Sequence, residues 1–349
     1  MNTERTGIAL VGTGMAAGPH ARALRDLSSR LEVRGVYSRE QGKREAFAAE
    51  YGFPAAESLE ALAADKDLDV VIIATPPNAR ADLVRLFAGA GKQMILEKPL
   101  ERTLAAAREI VAICAESGVR LGTVFQYRYR PAALRLKQLV REGALGRVAA
   151  VRVSLPWWRG QDYYDVPGRG SYARDGGGVL ISQAIHSLDL MLEICGSVNE
   201  VRALAATSAL HKMEAEDFVA AGLQFAAGMP GALIAATTAF PGAAEIIALD
   251  CEKATAELQS EQLTLYWKDG KLEHFGAEAG SGGGADPMAF SHAGHRALIE
   301  DFIDAWRENR PFGPSGRAAL SVQGLIEALI ASSGQGRAVN IPPDDEEDD

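Results

Sequence analysis

The sequence predicts two domains: an α/β domain on a doubly wound parallel sheet, then an α+β domain with an open, mostly antiparallel sheet covered by helices. Three observations support this. The chain has 349 residues and is 47% hydrophobic, which is enough for two cores. Strand-like and helix-like segments alternate in the first third. From about residue 147, strand-like runs follow one another with turns between them. We place the first domain at residues 1–125, the second at 126–342 and an acidic tail at 343–349.

The first domain consists of short β-rich runs separated by Ala-, Leu- and Glu-rich helical segments. The predicted strands are Ile8–Val11, Val33–Tyr37, Val70–Ala74, Met94–Leu96 and Arg120–Val124. The predicted helices are Pro19–Leu27, Lys43–Tyr51, Ala79–Ala88 and Leu104–Glu116. Because strands that alternate with helices are joined by right-handed crossovers, these strands belong to one parallel sheet.

The second domain begins where the strand-like runs lose their intervening helices. Its predicted strands are Ala149–Leu155, Val201–Ala206, Phe218–Phe225, Ala232–Ala239, Glu245–Asp250 and Leu263–Trp267. Helices are predicted at Val179–Ile194, His295–Glu308 and Ala318–Ser332, and a mobile glycine-rich loop at Gly276–Ala285. The uncharged run Phe218–Ala244 is long enough to cross a bilayer. Its glycines and prolines instead predict strands joined by a tight turn near Gly228–Gly231, so no membrane partner is expected.

The distribution of charges and cysteines excludes several classes of function. Six acidic residues at 344–349 supply 6 of the 10 net negative charges, which leaves −4 for the rest of the chain. Lys and Arg are scattered, so a nucleic-acid partner is not expected. Cys114, Cys195 and Cys251 are spaced neither as a disulfide framework nor as a metal site, and Ile8–Val11 already reads as a strand rather than a signal peptide. We expect a cytoplasmic protein that holds no metal and acts on a small molecule.

A glycine-containing turn follows the first predicted strand and opens the first helix. Gly12 permits the tight turn, Gly14 lets a pyrophosphate approach the backbone, and the small Ala17 lets helix and strand pack closely. The helix N-terminus then faces the phosphates. A lone Gly-x-Gly is weak evidence, but this one has the strand–turn–helix context of a dinucleotide site. The residues assigned to this part of the cofactor site are Gly12, Thr13, Gly14, Met15 and Ala16.

The end of the second predicted strand favours NADP over NAD. An acidic residue at this position would bind the ribose 2′-hydroxyl of NAD. The chain instead has Ser38 and Arg39, with Lys43 one helical turn further, and these groups suit a 2′-phosphate. The alternatives are that the cofactor is NAD, or that Arg39 and Lys43 merely cap a solvated helix.

The strand that begins at Val70 ends in a segment suited to ribose and nicotinamide. Two prolines stop the strand, while a hydroxyl and an amide lie at its carboxyl edge. The residues assigned to the cofactor are Ala74, Thr75, Pro76 and Asn78. The same segment would also suit a plain turn with a helix N-cap at Asn78.

The apolar run Met94–Leu96 delivers Glu97 and Lys98 to a strand terminus, and Pro99 stiffens the turn that follows. Ligands of open α/β sheets bind beyond the carboxyl ends of the strands. Lys98 is therefore a candidate for chemistry.

The segment 174–189 combines three glycines with a helix that carries polar side chains. Gly176–Gly178 form a flexible loop that leads into the helix. Ser182 and His186 are four residues apart and Gln183 and His186 three apart, so these groups gather near one edge. Asp189, one turn further, is placed to orient the imidazole. A lone helical histidine is usually structural, but the neighbouring glycines and polar groups make His186 a candidate site residue.

These motifs, in this order, resemble the Gfo/Idh/MocA oxidoreductase family along nearly the whole chain. The resemblance is carried by Gly12–Ala17, Ala74–Pro77, Glu97-Lys98-Pro99, Gln126-Tyr127-Arg128, Gly176–Gly178, and His186 with Asp189. It implies an NAD(P)-binding Rossmann domain and a second domain with an open sheet, through which dimers or tetramers often assemble. It also implies oxidation or reduction of sugars, cyclitols or related compounds.

The resemblance assigns Lys98 and His186 as the catalytic pair. Glu97, Lys98 and Gln126 are assigned to the cofactor and Arg128 to the substrate, with a substrate contact as the alternative for Gln126. Hydride passes between a carbinol carbon and nicotinamide while a base takes the hydroxyl proton, or the reverse. A neutral imidazole has a suitable pKa for that proton transfer. Lys98, as an ammonium, would stabilise a developing alkoxide. The order of proton transfer between the pair is left open.

Two positions depart from the family pattern. Ser182 replaces an aspartate that many polyol dehydrogenases of the family carry, which puts an Asp–His proton relay in doubt. The Ser182-Gln183 version looks more like members that act on nucleotide-linked sugars or other large polar substrates. Arg80 replaces a histidine often found after the Pro-Pro-Asn segment.

An aromatic and arginine-rich segment precedes the glycine loop. Aromatic faces stack on sugar C–H surfaces, and arginines hold carboxylate or phosphate. The assigned substrate-binding residues are Arg128, Trp157, Trp158, Arg159, Tyr163, Arg169, Ser182, Gln183, His186 and Asp189. The alternative for either tryptophan is that it packs on its own domain.

The leading prediction is an NAD(P)-dependent sugar or polyol dehydrogenase. A second enzyme reading is reduction or oxidation of a nucleotide-linked sugar or a non-sugar carbonyl. A nucleotide-binding regulator on the same fold is disfavoured because it would need neither Lys98 nor His186.

Overall fold

The computed structural model describes residues 5–276 and 291–342. The α-helices are α1 Ala17–Asp26, α2 Gln41–Tyr51, α3 Leu59–Ala64, α4 Ala81–Gly89, α5 Leu104–Glu116, α6 Pro131–Arg141, α7 Gln161–Tyr164, α8 Ile185–Cys195, α9 Ala293–Arg307 and α10 Gly316–Gln335. The strands are β1 Thr6–Val11, β2 Leu31–Tyr37, β3 Val70–Ile73, β4 Gln93–Leu96, β5 Leu121–Thr123, β6 Val148–Pro156, β7 Val198–Ala206, β8 Phe218–Phe225, β9 Pro230–Ala236, β10 Ile246–Cys251, β11 Ala254–Gln259, β12 Gln262–Trp267, β13 Leu272–Gly276 and β14 Val339–Asn340. The predicted glycine-rich loop, after residue 276, and the acidic tail lie outside the described residues.

The first unit is built on a parallel sheet in the order β2-β1-β3-β4-β5. Chain order reverses between β1 and β3, which makes their carboxyl ends the switch point where ligands of such sheets bind. Every residue of β1 and β3 is buried, as strands covered by helices on both faces require. The predicted doubly wound domain is confirmed.

The five strands of this sheet end at one level. Val11 pairs with Tyr37 and with Ile73 in register, Ile73 pairs with Leu96, and Leu96 pairs with Thr123. We call these five residues the strand-end row. The residue that follows each of them therefore emerges at the same carboxyl edge. The predicted cofactor residues at 12, 38, 74 and 97 all occupy this edge.

The segment Ser291–Leu320 belongs to the first unit, together with the chain up to Gln126. The division at residue 126 predicted from the sequence had assigned that segment to the second domain. Two contacts explain the difference. The Thr123 N–H donates to Pro314 O at 2.7 Å, and Gly122 forms a β-bridge with Ser315, so the segment covers the β5 edge of the sheet. α9 also packs against α1.

The second unit contains a nine-stranded sheet in the order β13-β12-β11-β10-β6-β9-β8-β7-β14. Only β6 and β9 are parallel neighbours, and the remaining pairs are antiparallel. β8 and β9 form the predicted pair joined by a tight turn. Among the described residues, no helix combines the length and apolar character needed to cross a bilayer.

One face of this large sheet is covered by helices and the other carries exposed apolar side chains. α6, which the sequence analysis missed, packs against α8 and against β11–β13. α8 is buried along most of its length. It continues directly from a π-helical segment, Leu180–Ala184, where the sequence predicted one uninterrupted α-helix. Single π-turns of this kind recur at functional sites because they redirect side chains within a helix.

Candidate active site

The turn after β1 is built around Gly12. Its φ is +108°, and a Cβ built there would lie 2.8 Å from the Ala74 carbonyl at the end of β3. Its N–H donates to Tyr37 O at 2.8 Å. Only glycine fits at this meeting point of three strands. Gly14 differs, because a Cβ built on it meets no described atom within 4 Å.

The N-terminus of α1 has no side chain of its own to cap it. Ala16, at the cap position, makes no side-chain hydrogen bond, and the first turn contains no acidic residue. Thr13 is half-buried, whereas Met15 is 55% exposed. The positive dipole end of the helix is thus available to an anion, although the Ala17 N–H donates to Gly14 O at 2.9 Å and Pro19 has no N–H. Together with the open space at Gly14, this fits a pyrophosphate.

The end of β2 carries the predicted basic groups. Arg39 is exposed, and Lys43 Nζ forms an ion pair with Glu40 Oε1 at 2.8 Å. Ser38 Oγ donates to Glu40 O at 3.2 Å. Lys43 is therefore already engaged by a neighbouring carboxylate, while Arg39 projects from the carboxyl edge.

Arg44 is a further basic group at this strand end that the sequence analysis missed. Its guanidinium lies 5.3 Å from the centre of the Tyr37 ring, and Nη1 donates to Ser38 O at 3.3 Å. Its position four residues after Glu40, on the face of α2 toward β2, was the available signal.

The segment after β3 places its polar groups unequally. Thr75 Oγ1 is buried and has no hydrogen-bond partner among the described residues, so it can accept or donate a bond to a ligand. Asn78 is exposed and lies inside the short 3₁₀ helix Pro77–Ala79, not at the cap of α4. Ala74 is buried and Pro76 exposed.

Lys98 is half-buried just beyond β4 and is held in place by Arg80. The Arg80 guanidinium donates to the carbonyls of Glu97 and Pro99, which flank the lysine. It also donates to Thr75 O, through Nε at 3.0 Å and Nη2 at 2.6 Å. One side chain thus ties the end of β4 to the end of β3. The sequence analysis noticed Arg80 only as a departure from the family pattern.

The charge of Arg80 is buried at 2% exposure. Burial lowers the pKa of its guanidinium to about 10, against the opposing effect of Glu97 and Glu101. At neutral pH it remains a cation, so the Lys98 turn contains a permanent positive charge beside the lysine itself.

Glu97 points to the buried side of the same turn. Its Oε1 is 2.7 Å from His20 Nε2, and its Oε2 accepts from the Lys98 N–H at 3.2 Å. Burial opposes ionisation of Glu97, but the hydrogen bond from His20 outweighs it, and the pKa is lowered. His295 lies edge-on to His20 with ring centres 5.0 Å apart, and burial lowers the pKa of His295 to about 3. Glu97 is therefore fixed within the core, although it was assigned to the cofactor.

His20, Glu97 and His295 bring three ligand-type atoms within 4.8 Å of one another. Two imidazoles and a carboxylate are a known zinc ligand set. However, His20 Nδ1 is buried without a hydrogen-bond partner among the described residues, whereas a metal-ligating histidine donates its second N–H to a neighbour. The arrangement is better suited to holding the Glu97 carboxylate, and the absence of a metal stays a prediction.

In the second unit, the glycine loop Gly176–Gly178 is anchored by Glu216, which the sequence analysis missed. The Glu216 carboxylate accepts from the N–H groups of Gly178 and Leu180, each at 3.1 Å. A Cβ on Gly178 would lie 1.8 Å from Glu216 O, so the loop can approach the segment just before β8 only with glycine. Glu216 therefore fixes the start of the helix that carries His186.

His186 is buried at 7% exposure and lies against the Tyr127 ring, with ring centres 4.8 Å apart. Burial raises the pKa of Tyr127, and the Arg130 guanidinium covers its ring at 3.2 Å. Arg130 in turn pairs with Glu245 at 2.7 Å. The imidazole is thus packed on a neutral phenol.

Asp189 has a different partner from the imidazole that the sequence analysis expected. Both of its oxygens accept from Arg128, at 2.6 and 2.8 Å, and Arg128 also pairs with Glu193. Burial raises the pKa of Asp189 to about 6, against the opposing effect of Arg128. Burial likewise opposes the charge of Arg128, but the two carboxylates outweigh it and raise its pKa. Arg128 and Asp189, both predicted to touch substrate, neutralise each other.

The predicted substrate segment gathers around Tyr163. The guanidinium carbons of Arg169 and Arg159 lie 4.3 and 5.5 Å from the centre of its ring. Gln183 Nε2 donates to the Tyr163 hydroxyl at 3.2 Å, which connects this group to the helix of His186. Trp157 is buried, with Arg159 5.1 Å from its ring centre. We call Trp157, Arg159, Tyr163, Arg169 and Gln183 the arginine–aromatic cluster.

Trp158 packs on its own unit, as the alternative interpretation had it. It lies 6.1 Å from the His211 ring and 5.4 Å from Phe240, which is 77% exposed. Ser182 lies in the π-helical segment beside Gln183. Gln126, in the short helix Gln126–Tyr129, has a buried Oε1 without a hydrogen-bond partner among the described residues.

The comparison with protein families matches both units. Residues 6–125 match the model described as the oxidoreductase family, NAD-binding Rossmann fold, of GFO/IDH/MocA type. Residues 133–257 match the GFO/IDH/MocA C-terminal domain.

Among curated proteins, the chain is 27% identical to D-apiose dehydrogenase of Paraburkholderia graminis, over 95% of this chain and 89% of that protein. It is 24% identical to inositol 2-dehydrogenase of Rhizobium meliloti, over 95% and 98%. Among solved structures, the WlbA dehydrogenase of Bordetella pertussis, in complex with NADH and UDP-GlcNAcA, has a TM-score of 0.82 at 26% identity over 98% of this chain and all of that one. Levoglucosan dehydrogenase, in complex with NADH, has a TM-score of 0.86 at 21% identity over 97% and 100%, and supports the fold alone.

Proposed function

The chain belongs to the GFO/IDH/MocA oxidoreductase family, and we propose that it transfers a hydride between a nicotinamide cofactor and a CH–OH or carbonyl carbon of a sugar, cyclitol or related polyol. The observation that carries the proposal is the placement of Lys98 at the same sheet edge as the glycine turn. Both segments begin directly after residues of the strand-end row, so they lie at the same height of the sheet, and Arg80 fixes Lys98 there.

The residues of this edge fit a dinucleotide. The open N-terminus of α1 and the space at Gly14 suit the pyrophosphate, and Thr75 Oγ1 is a buried polar atom that lacks a partner among the described residues. When bound, a nicotinamide cofactor supplies the hydride acceptor or donor.

Lys98 and His186 are proposed as the pair that acts on the reacting oxygen. Lys98 presents an ammonium that stabilises negative charge developing on that oxygen. His186, packed on Tyr127, exchanges the hydroxyl proton. As hydride leaves the carbinol carbon, the hydroxyl proton goes to a base and a carbonyl forms; reduction is the exact reverse. The Asp189 carboxylate accepts two hydrogen bonds from Arg128. This ion pair fixes α8, and Asp189 does not relay the proton.

NADP is proposed as the preferred cofactor. The carboxyl edge of β2 carries Ser38, Arg39 and Arg44, while the nearest acid, Glu40, is paired with Lys43. Guanidinium groups there favour a 2′-phosphate. Titration of nicotinamide fluorescence with NADH and NADPH tests this, and a clear preference for NADH contradicts it.

The experiment for the reaction is a panel of sugars, cyclitols, sugar acids and nucleotide sugars with NAD⁺ and NADP⁺, read by nicotinamide absorbance. We expect reduction of the cofactor by at least one polyol. If the protein binds NADPH but no member of the panel oxidises or reduces the cofactor, the protein would instead be a regulator. Turnover restricted to nucleotide sugars would select the second candidate function, an enzyme of nucleotide-linked sugars. Two observations favour this candidate: the likeness to the UDP-GlcNAcA-bound dehydrogenase, and the Ser182-Gln183 pair.

A homo-oligomer through the outer face of the nine-stranded sheet is also proposed, in a cytoplasmic setting. In-register pairs align Leu204, Ala220, Ile234, Ser154 and Ile246 across five strands. Leu204 and Ile234 are 61% and 52% exposed. A row of this kind, apolar except for Ser154, marks an interaction surface. Ile234→Glu should lower the mass measured by light scattering to that of one chain.

A further inference from the structure

We propose that the arginine–aromatic cluster is an oxyanion subsite, so that the substrate is an anionic sugar carrying a carboxylate or phosphate. This rests on the proposed oxidoreductase function and narrows it. Arg169 would bind the oxyanion directly, and Arg159 would add a second positive charge from the buried side.

The first argument compares the buried arginines of this unit. Burial opposes the charges of Arg130 and Arg128, but each has carboxylate partners among the groups that outweigh burial: Glu245 for Arg130, and Asp189 with Glu193 for Arg128. At Arg159 burial prevails and lowers the pKa, and the groups that act most strongly against burial are the phenols Tyr163 and Tyr164. A phenol at neutral pH carries no charge, so an anionic ligand would gain more at Arg159 than at its two neighbours.

The second argument is the set of polar atoms left for a ligand. Arg169 Nε and Trp157 Nε1 are buried N–H groups that have no hydrogen-bond acceptor within the described structure. Gln183 Oε1 is a buried oxygen that has no donor there. Buried polar atoms are normally paired. Two donors and one acceptor match a ligand that bears anionic oxygens and a hydroxyl group.

Two carboxylates near the cluster, Asp175 and Asp217, are each bound by other groups. Asp175 Oδ2 accepts from the Gly170 N–H at 3.0 Å, and its Oδ1 lies 3.7 Å from Arg174. Asp217 is bound by His211 and by Ser208, at 2.8 and 2.6 Å. Each of these carboxylates therefore has its own structural partner.

The cluster is also connected to the catalytic helix. Tyr163 receives the hydrogen bond of Gln183, and Gln183 precedes His186 by three residues. Tyr163 and Arg169 are half-buried, which leaves an edge for a ligand, whereas Arg159 is 3% exposed. A sugar ring on the Tyr163 face would place its acidic substituent toward Arg169.

The test is calorimetric titration of the protein, saturated with NADPH, with glucose, galactose and mannose, each as the free sugar, the uronate and the 6-phosphate. We expect the uronate or the 6-phosphate of at least one sugar to bind about tenfold or more tightly than the free sugar. Preference for the uronate identifies a carboxylate ligand, and preference for the 6-phosphate a phosphate ligand.

Arg169→Gln should remove the preference for the anionic sugar, and Arg169→Lys should restore part of it. The control is Arg141→Gln, which loses an exposed charge at the end of α6 and should leave the preference intact. Arg159→Gln should weaken binding of the anionic sugar and leave the affinity for the free sugar unchanged. Equal affinity for free and anionic sugars, or an anion preference that survives Arg169→Gln, overturns the subsite. Because binding is measured without turnover, failure of the oxidoreductase function would appear separately, as absent turnover in the polyol panel.

Discussion

Arg80 in the first unit and Arg159 in the second are both almost completely buried, at 2% and 3% exposure, yet we expect them to have different roles. Arg80 donates to the Thr75, Glu97 and Pro99 carbonyls, and the carboxylates of Glu97 and Glu101 act against the burial that lowers its pKa to about 10. Arg159 donates to the Trp158 carbonyl at 2.6 Å and lies beside the rings of Trp157 and Tyr163; burial lowers its pKa too, and the groups that act most strongly against burial are phenols rather than carboxylates.

The difference separates a scaffold from a recognition surface. The strand ends of the first unit are fixed by internal bonds before any ligand arrives, which suits a reaction centre that must hold Lys98 in one geometry. In the arginine–aromatic cluster, Arg169 Nε, Trp157 Nε1 and Gln183 Oε1 are buried and have no hydrogen-bond partner among the described residues. Substrate choice is therefore expected to reside in the second unit, and cofactor geometry in the first.

The largest effect is expected at Lys98. Lys98→Ala removes the ammonium that stabilises the developing alkoxide, so kcat should fall by about 10²-fold or more, while the NADPH dissociation constant stays within about threefold. Lys66→Ala, at an exposed position of the same unit, is the control. Turnover within about tenfold of the native protein would show that this lysine is not catalytic.

Substitution of the two arginines by methionine tests the comparison itself. Arg80→Met leaves three carbonyls without their shared donor, so the free energy of unfolding in urea should fall by about 3 kcal/mol or more. Arg159→Met removes a charge that burial disfavours and should cost about 1 kcal/mol or less.

Arg85→Met, on the exposed side of α4, controls for loss of charge. Equal losses at positions 80 and 159 would break the distinction between scaffold and recognition surface.

Two glycines should separate stability from binding. Gly178→Ala places a Cβ against Glu216 O and should lower the free energy of unfolding by about 2 kcal/mol or more. Gly14→Ala meets no described atom within 4 Å, so stability should change by about 0.5 kcal/mol or less while NADPH affinity falls about tenfold. Unchanged NADPH affinity in Gly14→Ala would remove the pyrophosphate from this turn.

The buried carboxylates Glu97 and Asp189 should give opposite pH dependences of the free energy of unfolding, each with a slope of at most about 1.4 kcal/mol per pH unit. The folded pKa of Glu97 is lowered, so its contribution is present above about pH 4.5 and is lost on acidification. The folded pKa of Asp189 is raised to about 6, so the folded state binds the proton more tightly and stability falls as pH rises from about 4 to 6.

Urea unfolding from pH 3 to 7 checks these signs. The stability of the native protein relative to Glu97→Gln should rise with pH, and relative to Asp189→Asn it should fall. Slopes of the same sign would contradict either the hydrogen bond from His20 that lowers the pKa of Glu97 or the burial that raises the pKa of Asp189.

The parts of the fold and site that sequence predicted well are those with local signals. The glycine turn, the Glu-Lys-Pro strand end and the alternation of strands and helices can each be recognised from a few adjacent residues. Leu104–Glu116 and Phe218–Phe225 were predicted with the bounds that the structure has.

What sequence missed depends on distant partners. Arg128 binds Asp189 across 61 residues, His20 binds Glu97 across 77, and Thr123 binds Pro314, which brings Ser291–Leu320 to the first unit. Such pairs leave no periodic pattern. In the sequence, Arg80 stood out only as an unusual residue. Its three hydrogen-bond partners are backbone carbonyls, and because every sequence has such carbonyls, they leave no signal.

The central claim is that hydride leaves a carbinol carbon of a polyol. It is tested most directly by supplying NADP⁺ with sugars and cyclitols deuterated at their carbinol carbons and measuring the mass of the nicotinamide product. We predict reduced cofactor carrying one deuterium for at least one substrate, formed about 10²-fold or more slowly with Lys98→Ala. Reduced cofactor without deuterium, or bound cofactor that no polyol reduces, would contradict the account.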